Sequence, residues 1–244
     1  MPFRIAKSKP QGCVLPCGSA GLPYVKHWDA WEFRILPACR RRQESGLQRS
    51  DMDNTAKTIV CFGDSNTHGY NSSNMGRFTE KERWPCLLAD LLGPAYLVRE
   101  EGLSGRTTSF EDPLFEGLSG FAAIHPCLMT HEPVDLLIIM LGTNDVKQRF
   151  AATPANIAKG LERLVTKAIH TTEAWRGKAN ILVIAPPPIE EGYKGTQIQG
   201  EMGIDCVEKS QAIIPLFREV AERLGCHFLE AASIPGMGMY PYDY

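Results

Sequence analysis

No stretch of the 244-residue chain approaches the roughly 18 consecutive apolar residues that a membrane-spanning helix needs, so no membrane role is expected. Charge of one sign is scarce as well. The 26 Lys+Arg and 28 Asp+Glu leave a net charge of -2, without the basic excess that a nucleic-acid partner demands. Neither G-x-G-x-x-G nor G-x-x-x-x-G-K-S/T occurs, which removes the dinucleotide and P-loop readings. Cysteine is sparse: eight residues, irregularly spaced and partly inside apolar runs, suit small buried thiols better than a disulfide framework. The expectation is a reducing, cytoplasmic compartment.

The charge that is present is unevenly placed. Residues 1–51 hold nine Lys/Arg against four Asp/Glu, and the remainder holds seventeen against twenty-four. The leading segment has five prolines, the basic run Arg40-Arg41-Arg42, and no sustained apolar period of 2 or 3.6. It lacks the continuous apolar core of a secretory signal, although its Arg-rich character carries a faint organelle-targeting signature. We read residues 1–51 as a disordered or non-native extension with Met52 as the functional start, and residues 52–244 as the domain. Cys13 and Cys17 have no second ligand pair at zinc-like spacing, so no metal site is expected there.

From Thr58 onward, short apolar runs alternate with longer amphipathic stretches, the pattern of parallel strands buried on both faces and joined by helices. Strands are expected at Thr58–Phe62, Tyr96–Arg99, Asp135–Leu141, Asn180–Ala185 and His227–Glu230. Helices are expected at Glu80–Leu92, at Pro154–Ile169 with Thr153 as N-cap, and at Ile204–Leu224 with a kink at Pro215.

In such a sheet, ligands bind beyond the carboxyl ends of the strands. Three strand ends carry chemistry there: Phe62-Gly63-Asp64-Ser65-Asn66, Glu101-Gly102-Leu103-Ser104-Gly105-Arg106-Thr107, and Gly142-Thr143-Asn144-Asp145. Ser65 offers a hydroxyl on a tight turn, and its own N–H can face a developing oxyanion. Gly105 can bring an unobstructed N–H to the same oxygen, and Asn144 an amide donor. Each segment alone is ordinary turn chemistry, but the three in this order point to acyl transfer. Trp84-Pro85 and Phe150 are candidates for flanking the acyl or alcohol pocket, or for simple packing. Pro186-Pro187-Pro188 is expected to end the fourth strand and stiffen the crevice wall.

These blocks resemble those of the SGNH hydrolases, the GDSL-type esterases and lipases. Asn66 stands where leucine is common in the first block, Gly105 matches the glycine of the second, and the third matches fully. The strings RWPCLLADLLG, EEGLSGRTTSFEDP and VDLLIIMLGTNDVKQRF are similar to the arylesterase and acyltransferase branch. The resemblance runs from about Thr58 to the end of the chain. It implies a flavodoxin-like three-layer α/β/α sandwich with a parallel five-stranded sheet, a serine nucleophile, no metal or other cofactor, and a small-molecule ester as substrate. Some members of that branch are oligomeric, so a homo-oligomer is an open expectation.

The family's last block is Asp-x-x-His, whose histidine is the general base and whose aspartate orients it. Asp243 stands where that aspartate belongs, so the histidine would fall two residues past Tyr244, and the sequence reads as truncated before it. His27, His68, His125, His131, His170 and His227 show no catalytic partner in the sequence. A non-catalytic, ligand-binding member is therefore the rival reading.

Overall fold

A computed structural model describes residues 56–234 of the protein. The proposed boundary at Met52, the extension before it and Asp243 lie outside the described residues. The elements follow from where apolar side chains must go. β1 (Lys57–Gly63), β5 (Leu136–Met140) and β6 (Ile181–Ala185) carry continuous apolar runs because helices cover both faces of the sheet at its centre. β4 (Tyr96–Gly102) and β7 (His227–Glu230) form the edges and are correspondingly less buried. The five strands are all parallel in the order β4-β1-β5-β6-β7, the flavodoxin-like arrangement that the family resemblance implies, and the short β2 (Tyr70–Asn71) and β3 (Gly76–Arg77) pair antiparallel in a hairpin of their own.

Because successive side chains leave a strand on opposite faces, β1 divides its residues between two cores. Val60 and Phe62 join Leu137, Ile139 and Val183 on one face, beneath α3 (Gly120–Thr130), α4 (Pro154–His170) and α6 (Cys206–Arg223). Ile59, Cys61 and Ile138 form a smaller cluster on the other, against Trp84, Leu88 and Leu92 of α2 (Trp84–Leu92). The same alternation parts two neighbouring acids on β4. Cys61 pairs with Glu100 and Phe62 with Glu101. Glu100 accordingly meets Arg83 beside α2, while Glu101 meets His131 at the end of α3.

The α4 stripe is as expected: Ile157, Leu161, Leu164, Val165 and Ala168 are buried, and the Thr153 side chain accepts from the Asn156 N–H at 3.3 Å. After the single turn α5 (Gln199–Met202), α6 runs through Pro215 on its exposed side, where water can satisfy the carbonyl that loses its helical donor. α2 begins later than expected. Thr79 and Glu82 instead close a separate turn, and Pro85 suits the first turn of a helix starting at Trp84. α3 is absent from the sequence reading. Gly120 at its start, Pro126 in its interior and a weak apolar contrast hide it, although Ile124 and Leu128 are buried and Ser119 caps it.

Candidate active site

The first block turns sharply out of β1 into the single-turn helix α1 (Ser65–His68). Asp64 caps it, its Oδ1 accepting from the Asn66 N–H at 2.9 Å, and Gly69 ends it at φ +79°. Close packing requires glycine on both neighbouring strands. A Cβ on Gly63 would lie 2.0 Å from Thr67 Oγ1, and one on Gly102 would lie 2.2 Å from the His68 backbone nitrogen. Ser65 is thereby held at the rim of the sheet, half-buried.

The second and third blocks are tied to the first by buried polar contacts. Arg106, 6% exposed, donates from Nη1 to the Gly63 carbonyl at 2.9 Å and to the Glu101 carbonyl, and its guanidinium stacks 4.1 Å from the centre of the Phe62 ring. Asn144 Nδ2 donates to the Arg106 carbonyl at 3.1 Å and makes a long 3.5 Å contact with Asp64 Oδ2. Asn66 Nδ2 donates to Thr143 Oγ1 at 3.3 Å. Asp145 accepts from the Thr108 N–H and hydroxyl. Ser65, Gly105 and Asn144 thus stand on three loops welded into one unit. Within it the backbone N–H groups of Ser65 and Gly105 have no hydrogen-bond partner among the described residues, and Gly105 turns at φ +89°.

Burial shapes the electrostatics of this knot. Asp64 is fully buried, and desolvation, reinforced by the Asp145 charge, pushes its carboxyl up to about 7 against the opposing pull of the Asn66 N–H. Asp145 is raised to about 6, again chiefly by desolvation, with Thr108 pulling the other way.

Ser65 opens onto a cleft of about 560 Å³, walled by Tyr70, Phe78, Trp84, Ile184, Pro187 and Leu229. Pro187 takes the wall position expected of it, and Trp84 does both of the things left open for it, lining the cleft and packing on the smaller core. Phe150 does not line the cleft: it packs on the larger core, 5.7 Å from the Phe110 ring. Its 3-10 turn, Gln148–Phe150, points it towards that core rather than the cleft. Among the described residues Ser65 Oγ meets no histidine. His125 faces Thr171, His131 faces Glu101 and His170 faces the Thr166 carbonyl, while His227 is exposed on an edge strand. Desolvation lowers the His68 pKa, against the pull of a hydrogen bond between its ring and the Gly102 backbone, and its carbonyl accepts from Arg77 Nε at 2.7 Å. No role for Arg106 or Thr108 follows from the sequence, although Arg106 lies in the second strand-end block and Thr108 just after it in the EEGLSGRTTSFEDP string.

The family model described as GDSL-like Lipase/Acylhydrolase matches residues 61–242. The chain belongs to that family. Solved structures agree on the fold and the lineage of this acylhydrolase. An aryl esterase of M. smegmatis is 36% identical with a TM-score of 0.68, the match covering 73% of this chain and 86% of that one. A carbohydrate acetylesterase family member from Sinorhizobium meliloti is also 36% identical, with a TM-score of 0.67 and 73% and 84% covered. No curated protein matches the chain. The acylhydrolase is an ester-hydrolysing enzyme by family. Among the described residues no helix is long and apolar enough to cross a membrane.

Proposed function

We propose that this acylhydrolase cleaves small carboxylic esters through an acyl intermediate on Ser65. Ser65 Oγ attacks the ester carbonyl carbon while its proton passes to the histidine that the family's Asp-x-x-His block supplies, none of the described histidines being placed to take it. The oxyanion is met by the N–H groups of Ser65 and Gly105 and by the Asn144 Nδ2 hydrogen that gives up its long 3.5 Å contact with Asp64 Oδ2 while the other stays on the Arg106 carbonyl. The alcohol leaves with the proton returned, and water then releases the acid. Asp243 is assigned the task of orienting that histidine, as the aspartate of the Asp-x-x-His block. The observation that carries this reading is the pair of unpartnered backbone donors at Ser65 and Gly105, on loops locked together by Arg106 and Asn144. Donors fixed before the reaction need no reorganisation when charge develops, which is what an oxyanion hole supplies.

The apolar cleft favours an ester with an aromatic or short aliphatic group, in keeping with the aryl esterase among its structural neighbours. The same walls give a second outcome a physical basis. An alcohol held against Phe78 and Trp84 would compete with water for the acyl group, making the enzyme an acyltransferase to alcohols. The unpaired Cys61, Cys86, Cys127, Cys206 and Cys226 support a reducing, cytoplasmic setting. The start of the family match at residue 61 supports a catalytic domain spanning 52–244.

The test is hydrolysis of p-nitrophenyl acetate by the chain as written, by a form extended to complete Asp-x-x-His, and by Ser65→Ala in each. The extended form should turn over, and Ser65→Ala should abolish it. Undiminished turnover in extended Ser65→Ala would overturn the assignment of the nucleophile.

A further inference from the structure

On the face of the sheet opposite the cleft, three side chains of metal-ligating type converge. Cys127 and His131 stand four residues apart at the C-terminal end of α3, a spacing that stacks side chains on one side of a helix. Glu101 rises towards them from the next-to-last position of β4. His131 Nε2 lies 2.7 Å from Glu101 Oε1, and the donor atoms of all three residues lie within 4.8 Å of one another. The side chains of His131 and Glu101 are 15% and 32% exposed, so an ion has a way in and a water has room to complete its shell.

We infer that Glu101, Cys127 and His131 form a binding site for a divalent metal ion of the zinc type, with water as fourth ligand. The donor set decides the class: thiolate, imidazole and carboxylate together suit zinc, whereas magnesium and calcium take oxygen ligands. Metal–ligand bonds of about 2.0–2.3 Å place tetrahedral donors about 3.5 Å apart. The His131–Glu101 pair must therefore open slightly while the sulfur closes in, a change that rotation of the Glu101 side chain can supply. One thiolate and one carboxylate would neutralise the ion. The nearby cation, Arg106, is already held by the Gly63 and Glu101 carbonyls and the Phe62 ring. An ion here would clamp β4, just before the loop that carries Gly105, to the end of α3. The site shares no residue with the cleft and does not depend on the esterase reading.

The experiment is a cobalt(II) titration of the chelator-treated full chain carrying Cys13→Ser and Cys17→Ser, so that the leading cysteine pair contributes nothing. One equivalent should produce the thiolate-to-cobalt charge-transfer band and the visible bands of a four-coordinate ion, and zinc should displace it. Cys127→Ser should remove the charge-transfer band, while Glu101→Gln and His131→Gln should each weaken binding about tenfold or more. Zinc should also raise the melting temperature of the parent but not of Cys127→Ser, a comparison that requires only that both fold. Absence of a saturable band, persistence of the band in Cys127→Ser, or equal zinc stabilisation of both chains would overturn the site.

Discussion

The two faces of the sheet are built for different purposes. Beneath α3, α4 and α6 the core is continuous from Val60 through Ile139 to Phe217, closed to solvent. On the other face the cluster around Ile59, Cys61 and Ile138 is small, and beyond α2 the sheet opens into the cleft beside Ser65. Removing apolar surface from water stabilises the fold by about 25 cal/mol per Å², and among the described residues this face buries less of it than the other. The candidate site opens on the face with the smaller cluster, and the opposite face carries the larger core. Substitutions on the two faces should therefore separate activity from stability.

The sharpest separation is expected at Ser65. In the form completed with Asp-x-x-His, Ser65→Ala should lower kcat by roughly 10⁶, as removal of the nucleophile does in serine hydrolases generally. Its melting temperature should not move, since the hydroxyl makes no hydrogen bond among the described residues. Asn144→Ala should cost about 10²–10³ in kcat with KM little changed, the signature of a donor used in the transition state. A fall confined to KM would place Asn144 in ground-state binding instead. On the covered face the pattern should reverse. Leu164→Ala, at a fully buried position of α4, should destabilise by about 2–5 kcal/mol in denaturant unfolding while kcat below the transition stays at the parent value. Phe78→Ala, on the cleft wall, should raise KM for an aryl ester about tenfold and leave stability nearly intact, because it removes contact with the ligand rather than with the core.

The same division explains what could be read from the amino acids. Strands buried on both faces announce themselves as apolar runs, so β1, β5 and β6 were legible, and the α4 stripe was marked by its cap and its period. α3 was not, because Gly120 and Pro126 argue locally against the helix that tertiary packing of Ile124 and Leu128 imposes. That the loops bearing Ser65, Gly105 and Asn144 come together was legible from their positions after apolar runs; the roles given to the three residues are the proposal made above. The welding by Arg106 was not, since nothing in local sequence shows that one guanidinium will bridge the ends of β1 and β4. Phe150 was misplaced for a related reason: an aromatic next to a functional block can turn either way, and packing with Phe110 decides.

The smallest expected effect concerns the polar knot itself. Asp64 and Asp145 are fully buried, and desolvation holds them at about 7 and about 6, against an ordinary aspartate value of about 3.9 in the unfolded chain. A raised folded-state pKa means that the native state keeps protons the unfolded state has released. Across the window from about pH 4 to about pH 7 the unfolded chain therefore binds fewer protons, and stability falls as pH rises before levelling off above it. The Arg83 hydrogen bonds pull Glu100 the other way, so its contribution is kept above the ordinary glutamate range and lost only in more acidic solution. The melting temperature should consequently decline from about pH 5 to about pH 7.5, and the slope should flatten in Asp64→Asn, which keeps an acceptor for the Asn66 N–H but has no charge to desolvate. An undiminished slope in that variant would mean that the knot is ionised throughout, and that its buried charges are stabilised by Arg106 and the surrounding donors rather than merely endured.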